Sequence, residues 1–538
     1  MKNLFTFCLF LLLVITSTTN CARKGNPTGG PKDTISPIMV TATPQYEAIH
    51  FNSKKIKLQF DEYVKFKDLN KQLIISPPLE YASDITPVGT ASKKITIKIN
   101  DTLKKNTTYS FNFGNSIVDN NEGNALGSFK YVFSTGAYVD SLAIFGVVKD
   151  AYKREHQENI AVLLFEVTDS YTDSIIYNEK PNYITNTLDS IVFDITNIKE
   201  GKYQLIAIKD VNNNYQYDPR EDEISFLENH ITIPTDSFFS LKLFKEIQSF
   251  SLKRPIEKTI GKIIFGFSGD KKGLEIQLLT QTPKDFKSFL VKEKDKDTLN
   301  FWFTPFETDS LNFLVKKDNF EKNYTVKLRT KKQDSLKIEA PISTTLHPKD
   351  TFYLESNFPF ASFDAKHIFI TDQDTLAVNF KPSFNPEKSK LYIDFDRVRN
   401  ANYQIDILPD AVTTFYGKTN DTLQYYLKTL DIEAFGIIEL EVKNPYKKPI
   451  IIELLTDTKD EVVIKRTTSK SENYEFIDLK PDTYIVRIIF DDNNNKKWDT
   501  GNFLEKKQPE KVFYYETALK LKANWTLDKN VIDIESYY

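Results

Sequence analysis

The chain has 538 residues, 40% of them hydrophobic and 13% aromatic, with 71 basic against 74 acidic side chains and a net charge of −3. That length exceeds what one hydrophobic core serves, so several domains of roughly 100–150 residues are expected. Interspersed, near-balanced charge excludes the basic footprint of a nucleic-acid binder and an acidic disordered tail, and two cysteines exclude a disulfide scaffold.

The chain opens with Lys2, an almost unbroken apolar run from Leu4 to Ile15, and small polar residues from Thr16 to Thr19 leading into Cys21. This reads as a secretory signal over residues 1–20, too short to span a bilayer as a mature helix. It resembles a bacterial lipoprotein signal, with Asn20 where such signals usually carry Gly, Ala or Ser. Cys21 is then the acylated N-terminus, and the lipid ties the chain to a membrane. Cys8 leaves with the signal, so the mature chain keeps one cysteine and no internal disulfide. After Ile15 no apolar stretch approaches the ~20 residues of a spanning helix. Residues 21–35, rich in Gly, Pro and charge, read as a flexible tether.

From Ser36 onward the pattern is strand-like. Lys55–Phe60, Lys94–Asn100 and Tyr109–Phe113 alternate apolar and polar residues and are bounded by Asn, Asp, Pro and Gly. Such alternation puts one face on a core and the other in water. Helical periodicity sustained over three turns is absent. The expectation is an all-β chain of tandem antiparallel β-sandwiches.

Two internal repeats divide the chain. Tyr109, Gly123, Phe133 and Thr135 recur as Tyr403, Gly417, Leu427 and Thr429, with the glycine 14, the apolar residue 24 and the threonine 26 positions after each tyrosine. A second repeat pairs Gly201-Lys-Tyr203 and Asp210–Asp218 with Asp482-Thr-Tyr484 and Asp491–Asp499, each opened upstream by Phe-Gly at 145–146 and 435–436. The expected domains are 36–138 and 340–432 of one type, 139–243 and 433–538 of another, and a central β domain over 244–339. Rod-like stacking of five domains would carry a binding face well away from the membrane.

The first type resembles the bacterial Ig-like domain of S-layer proteins and envelope lipoproteins. The residues that carry the likeness are Asp33–Pro37, Phe60-Asp-Glu62, Leu103–Tyr109, Asp119–Asn124 and Phe133-Ser-Thr-Gly136. The copy at 340–432 keeps the spacing but lacks the Asp-Glu pair and the closing Ser-Thr-Gly. The second type is similar to transthyretin-like or carboxypeptidase-regulatory-like β-sandwiches, where a Gly-x-Tyr step feeds a central strand ending in a polar loop. Both resemblances imply spacing, adhesion or scaffolding modules.

The candidate site is the pair of polar loops. Asp210, Asn212, Asn214, Gln216 and Asp218 occupy loop positions 1, 3, 5, 7 and 9, as do Asp491, Asn493, Asn495, Lys497 and Asp499. Alternating Asp and Asn oxygens, with a backbone carbonyl at position 7, suit a structural calcium ion. Glu221 stands at position 12 of the first loop, where a bidentate carboxylate completes an EF-hand-like site. Position 6 is Tyr215 or Lys496 rather than Gly, and position 12 of the second loop is Asn502. The alternative is a strand-connecting turn whose Asn and Asp side chains bond their own backbone.

No catalytic constellation is visible. The histidines (His50, His156, His230, His347, His367) are scattered, and no nucleophile elbow, phosphate loop or zincin stretch occurs. Asp61-Glu62 reads as a charged pair at a strand end rather than half of a glycosidase pair. The expected role is therefore a non-catalytic, lipid-anchored structural or interaction module of the outer membrane, facing the periplasm. Its expected partners are outer-membrane or periplasmic proteins, not nucleic acid. Alternatives are a carbohydrate-binding or surface-adhesion lipoprotein, and an unrecognised hydrolase or its accessory.

Overall fold

The computed structural model describes residues 33–293, 296–330 and 334–537. The signal, Cys21 and most of the tether lie outside the described residues. The chain is all-β, with mostly antiparallel sheets, and among the described residues its α-helices are single turns at Leu69–Gln72 and Ile175–Asn178. Among the described residues no helix is long and apolar enough to cross a membrane. They fall into two compact units. One gathers the residues up to Ala143 with Pro181–Thr185 and Ile195–Glu200; the other gathers Ile144–Lys180, Asn186–Asp194 and Gly201 onward.

In the first unit, one sheet runs Met39–Thr43, Lys55–Phe66, Ser92–Lys98, Asp84–Thr86, and a second runs Ile74–Ser76, Thr108–Gly114, Phe129–Ser134. The alternation seen in the sequence puts Ile56, Leu58, Phe60, Ile95 and Ile97 of the first sheet against Tyr109, Phe111, Phe113, Tyr131 and Phe133 of the second. The copy in the second unit repeats this order with Phe352–Ser356, Lys390–Phe395 and Phe380–Phe384 in one sheet and Ile368–Asp372, Asn402–Ile407 and Leu423–Thr429 in the other.

The shared spacing has a hydrogen-bonding cause. The Tyr109 hydroxyl accepts from Lys104 N at 2.9 Å, and the Tyr403 hydroxyl accepts from Val398 N at 2.8 Å, five residues back in each copy. Thr135 Oγ1 accepts from Thr107 N and donates to Lys104 O; Thr429 Oγ1 accepts from Ala401 N and donates to Val398 O. Tyrosine and threonine thus tie down one corner together. Gly123 and Gly417 take φ of +82° and +74°, which a side chain resists.

The second repeat type is equally duplicated. The central strand Gly201–Lys209 pairs Ala161–Glu166 on one side and both Glu223–Phe226 and Ile231–Ile233 on the other. Asp482–Phe490 pairs Ile450–Thr456 on one side and both Val512–Tyr514 and Leu519–Leu521 on the other. Each copy also carries a parallel pair, Phe238–Leu243 on Leu142–Asp150 and Thr526–Asp533 on Gly436–Lys443. The repeated Phe-Gly step has a cause in close backbone approach. A Cβ on Gly146 would lie 2.3 Å from Phe239 O, and one on Gly436 would lie 2.8 Å from Lys522 O. Between these domains, Lys262–Ser268 and Thr298–Phe303 pack against Ser310–Lys317 around Phe265, Phe301 and Phe313.

Candidate functional site

Both polar loops leave the C-terminal end of a central strand, where the sheet holds their first residue fixed. Position 1 is the organising group in each. Asp210 accepts from Asn214 N at 3.2 Å and Tyr215 N at 2.7 Å, and Asp491 from Asn495 N at 2.9 Å and Lys496 N at 2.8 Å. The position-7 N–H donates to the position-5 side-chain oxygen at 2.8 Å in both, Gln216 to Asn214 and Lys497 to Asn495. Positions 4 and 6 are left-handed in both loops, at Asn213 and Tyr215 (φ 54° and 59°) and at Asn494 and Lys496 (φ 59° and 64°). The conformation that an EF-hand assigns to Gly at position 6 is therefore present without glycine.

A carboxylate from beyond each loop closes it. Asp222 accepts from Val211 N at 2.9 Å and Asp218 N at 2.8 Å, positions 2 and 9. Glu510 accepts from Asp492 N and Asp499 N, the same two positions, at 2.9 Å each. The copies differ at position 12, where Glu221 accepts from Asn212 Nδ2 at 3.1 Å, whereas Asn493 and Asn495 turn their amides to Asp499. Burial pushes the Asp210 carboxyl above its usual pKa, with the Tyr215 and Asn214 N–H groups drawing it partly back. Burial likewise raises Glu510. The Arg220 side chain holds Asp218 below the ordinary value. Among the described residues no group of three or more His, Cys, Asp or Glu side chains gathers as a metal site would.

The loops differ in one further respect. Asp218 and its closing Asp222 are 4 residues apart, but Asp499 and Glu510 are 11 apart, so the second copy carries 7 extra residues. This insertion meets the first copy. Phe503, fully buried, stands edge-on to Phe226 at 5.2 Å, and its N–H donates to Glu246, which also accepts from the Tyr217 hydroxyl at 3.0 Å. Burial, then the Glu246 charge, push the Tyr217 hydroxyl far above its ordinary pKa. Thr500 Oγ1 donates to Lys245 O at 2.7 Å, Lys506 pairs with Asp173 at 2.7 Å, and Gln508 Nε2 donates to Phe226 O at 2.9 Å.

A buried charge pair backs this contact. Arg487 lies directly opposite Glu453 in the sheet, and both side chains are 5% exposed. Arg487 donates to Glu453 Oε2 from Nε at 2.8 Å and Nη2 at 2.7 Å, and Nη2 also reaches the Tyr152 hydroxyl of the other repeat at 2.8 Å. The guanidinium sits 4.1 Å from the centre of the Tyr152 ring, and the Tyr514 hydroxyl donates to Tyr152 O at 2.7 Å. Trp498, at loop position 8, packs 4.8 Å from Tyr152, and Arg154 pairs with Asp457 at 2.6 Å. The second and fifth expected domains are therefore in direct contact.

Sequence reading located both loops but missed the carboxylates that close them and the contact beside them. A signal for the charge pair exists: Glu453 and Arg487 each interrupt an otherwise continuous apolar run, Ile450–Leu455 and Tyr484–Phe490. A charge in such a run is buried with a partner.

Residues 33–135 match the family model described as a bacterial Ig-like domain. No curated protein matches the chain. Among solved structures, the S-layer protein rSbsC is 12% identical, covering 91% of this chain and 67% of that one at a TM-score of 0.16. BcpA, the major pilin subunit of Bacillus cereus, is 10% identical over 73% of this chain and 99% of that one, at a TM-score of 0.14. The Bacteroides ovatus protein SGBP-B, solved with a mixed-linkage heptasaccharide, is 10% identical over 71% of this chain and 91% of that one, at a TM-score of 0.17. Superposition this loose carries no functional argument. The chain is thus a tandem β-domain protein with an Ig-like domain at 33–135.

Proposed function

We propose that the protein is a lipid-anchored envelope component that works as a non-catalytic structural or protein-interaction module. Its proposed place is the periplasmic face of the outer membrane, as an accessory of a membrane-protein complex. The observation that supports this best is how the repeated polar groups are used: Tyr109, Thr135, Asp210, Asp222, Asp491 and Glu510 all bond backbone, holding corners and loops in place. Purification from intact membranes tests the reading, with outer-membrane proteins as the expected co-purifying set. Recovery of the chain alone, or a Cys21→Ser chain that stays membrane-bound, overturns it.

Carbohydrate binding is the second reading, favoured by one sheet face. Phe369 and Tyr426 are exposed there, and Asp406 between them accepts from the Gln404 and Gln424 amides at 2.7 Å each. Aromatic surface flanking fixed amides suits a sugar, and a glycan array with Tyr426→Ala as control tests it. Structural calcium in the two loops is the third element of the proposal, supported by the inward position-1 carboxylates and the left-handed positions 4 and 6. Titration of the full chain with Ca²⁺ should release heat and raise the melting temperature; no change in either removes the ion from the account.

A further inference from the structure

A cleft of about 410 Å³ lies where the two contacting repeats meet. Ala151 and Lys242 line it from one repeat; Phe490, Val512, Phe513 and Tyr537 are among its walls from the other. The volume falls within the range of small-molecule sites, which favour domain junctions and mostly apolar walls with few polar groups. Here the apolar wall is built as a stack: Phe513 lies 3.9 Å from Tyr537 with rings nearly parallel and 5.7 Å from Phe490.

Lys242, Lys511 and Glu510 are the charged side chains lining the cleft, two cations to one anion. The Lys242 amine makes no hydrogen bond or ion pair among the described residues. Its parallel-strand neighbour is Lys149, a like charge. The nearby acids are committed elsewhere: Glu510 accepts from two backbone N–H groups, and Asp150 accepts from Tyr152 N, Lys153 N and the Gln157 amide. Desolvation, then the Lys149 charge, hold the Lys242 amine below its ordinary pKa, and the Asp150 charge only partly offsets them. An anion at this position would relieve both.

We propose that this cleft binds a single-tailed amphiphile with an anionic head, of the fatty-acid class, with its tail on Phe490, Phe513 and Tyr537 and its head on Lys242. The site is independent of the anchor and of the loops' ion content, so it stands or falls apart from the proposed function. The test is calorimetric titration of the full-length Cys21→Ser chain, free of detergent, with dodecanoate, dodecyl phosphate and dodecanol. Dodecanoate should bind at one site, and Lys242→Ala, at an exposed position, should weaken it about tenfold, the value of one charged hydrogen bond, while leaving dodecanol unchanged. Val512→Trp should fill the cleft and abolish binding of all three. Tighter binding of dodecyl phosphate than of dodecanoate would assign the head to a phospholipid source. Failure of dodecanoate to bind, or binding that neither substitution changes, overturns the proposal.

Discussion

Replacing Arg487 with Met isolates the contribution of the buried pair. The substitution keeps an apolar side chain of useful length but strands Glu453, 4% exposed, with only Lys465 at 3.6 Å, whose own side chain is 41% exposed. Three hydrogen bonds from the guanidinium to Glu453 and Tyr152 are lost together with its stacking on the Tyr152 ring. An uncompensated buried carboxylate costs about 3–5 kcal/mol. At roughly 2–4 °C per kcal/mol for a large cooperative unit, the melting transition should fall by on the order of 10 °C. Scanning calorimetry of the wild type, Arg487→Met, Glu453→Leu and the double variant forms a complete cycle. The double variant should recover most of the loss, since an apolar pair of similar volume replaces a buried ion pair at little cost. Equal losses in the single and double variants would refute the argument, because the damage would then come from packing rather than from a stranded charge.

Phe503→Ala empties the fully buried position against Phe226, and should cost about 3–5 kcal/mol in urea unfolding; a loss below ~1 kcal/mol would mean that the insertion only rests on the first repeat. Deleting seven residues, Thr500–Lys506, restores the spacing of the first loop. It should leave the second repeat folded while new protease cleavage appears at its junction with the first. His347 gives the pH dependence. Its Nε2 lies 2.6 Å from Asp478 O and so must carry the proton, while Nδ1 accepts from Lys349 N at 3.2 Å, so only the neutral ring satisfies both. Burial holds its pKa below the ordinary 6.5. Its contribution is complete above pH 6.5 and is lost as the pH falls towards the folded value, so the melting temperature should decline over that interval and decline less in His347→Gln.

The sequence discloses most of the fold because its signals are local. Period-2 alternation marks the strands, and the tyrosine-to-threonine spacing is fixed by hydrogen bonds that close within one corner, Tyr109 to Lys104 and Thr135 to Thr107. The loops are legible for the same reason: Asp210 and Asp491 bond N–H groups four and five residues on. What stays hidden is long-range. Tyr152 lies 335 residues from Arg487, and nothing in its neighbourhood specifies a partner. The runs Ile450–Leu455 and Tyr484–Phe490 do carry a hint, since an antiparallel strand with one wet face should alternate. Apart from Glu453 and Arg487 they are apolar at every position, which demands burial on both faces. Alternate residues such as Ile452, Val486 and Ile488 enter the domain's own core; Arg487 and Glu453 face the other way, towards Tyr152.

Divergence between the two copies follows from where selection could act without unmaking the fold. The closing carboxylate must reach positions 2 and 9, so it is kept as Asp222 in one copy and Glu510 in the other. The chain between position 9 and that carboxylate carries no such duty, because both ends of the detour are pinned. Lengthening it costs little loop entropy, about 0.6 kcal/mol per doubling. The second copy uses that freedom to place Thr500, Phe503, Lys506 and Gln508 on the first. A duplicated loop thus serves two ends: its first nine positions hold a turn, and the added length makes an interface.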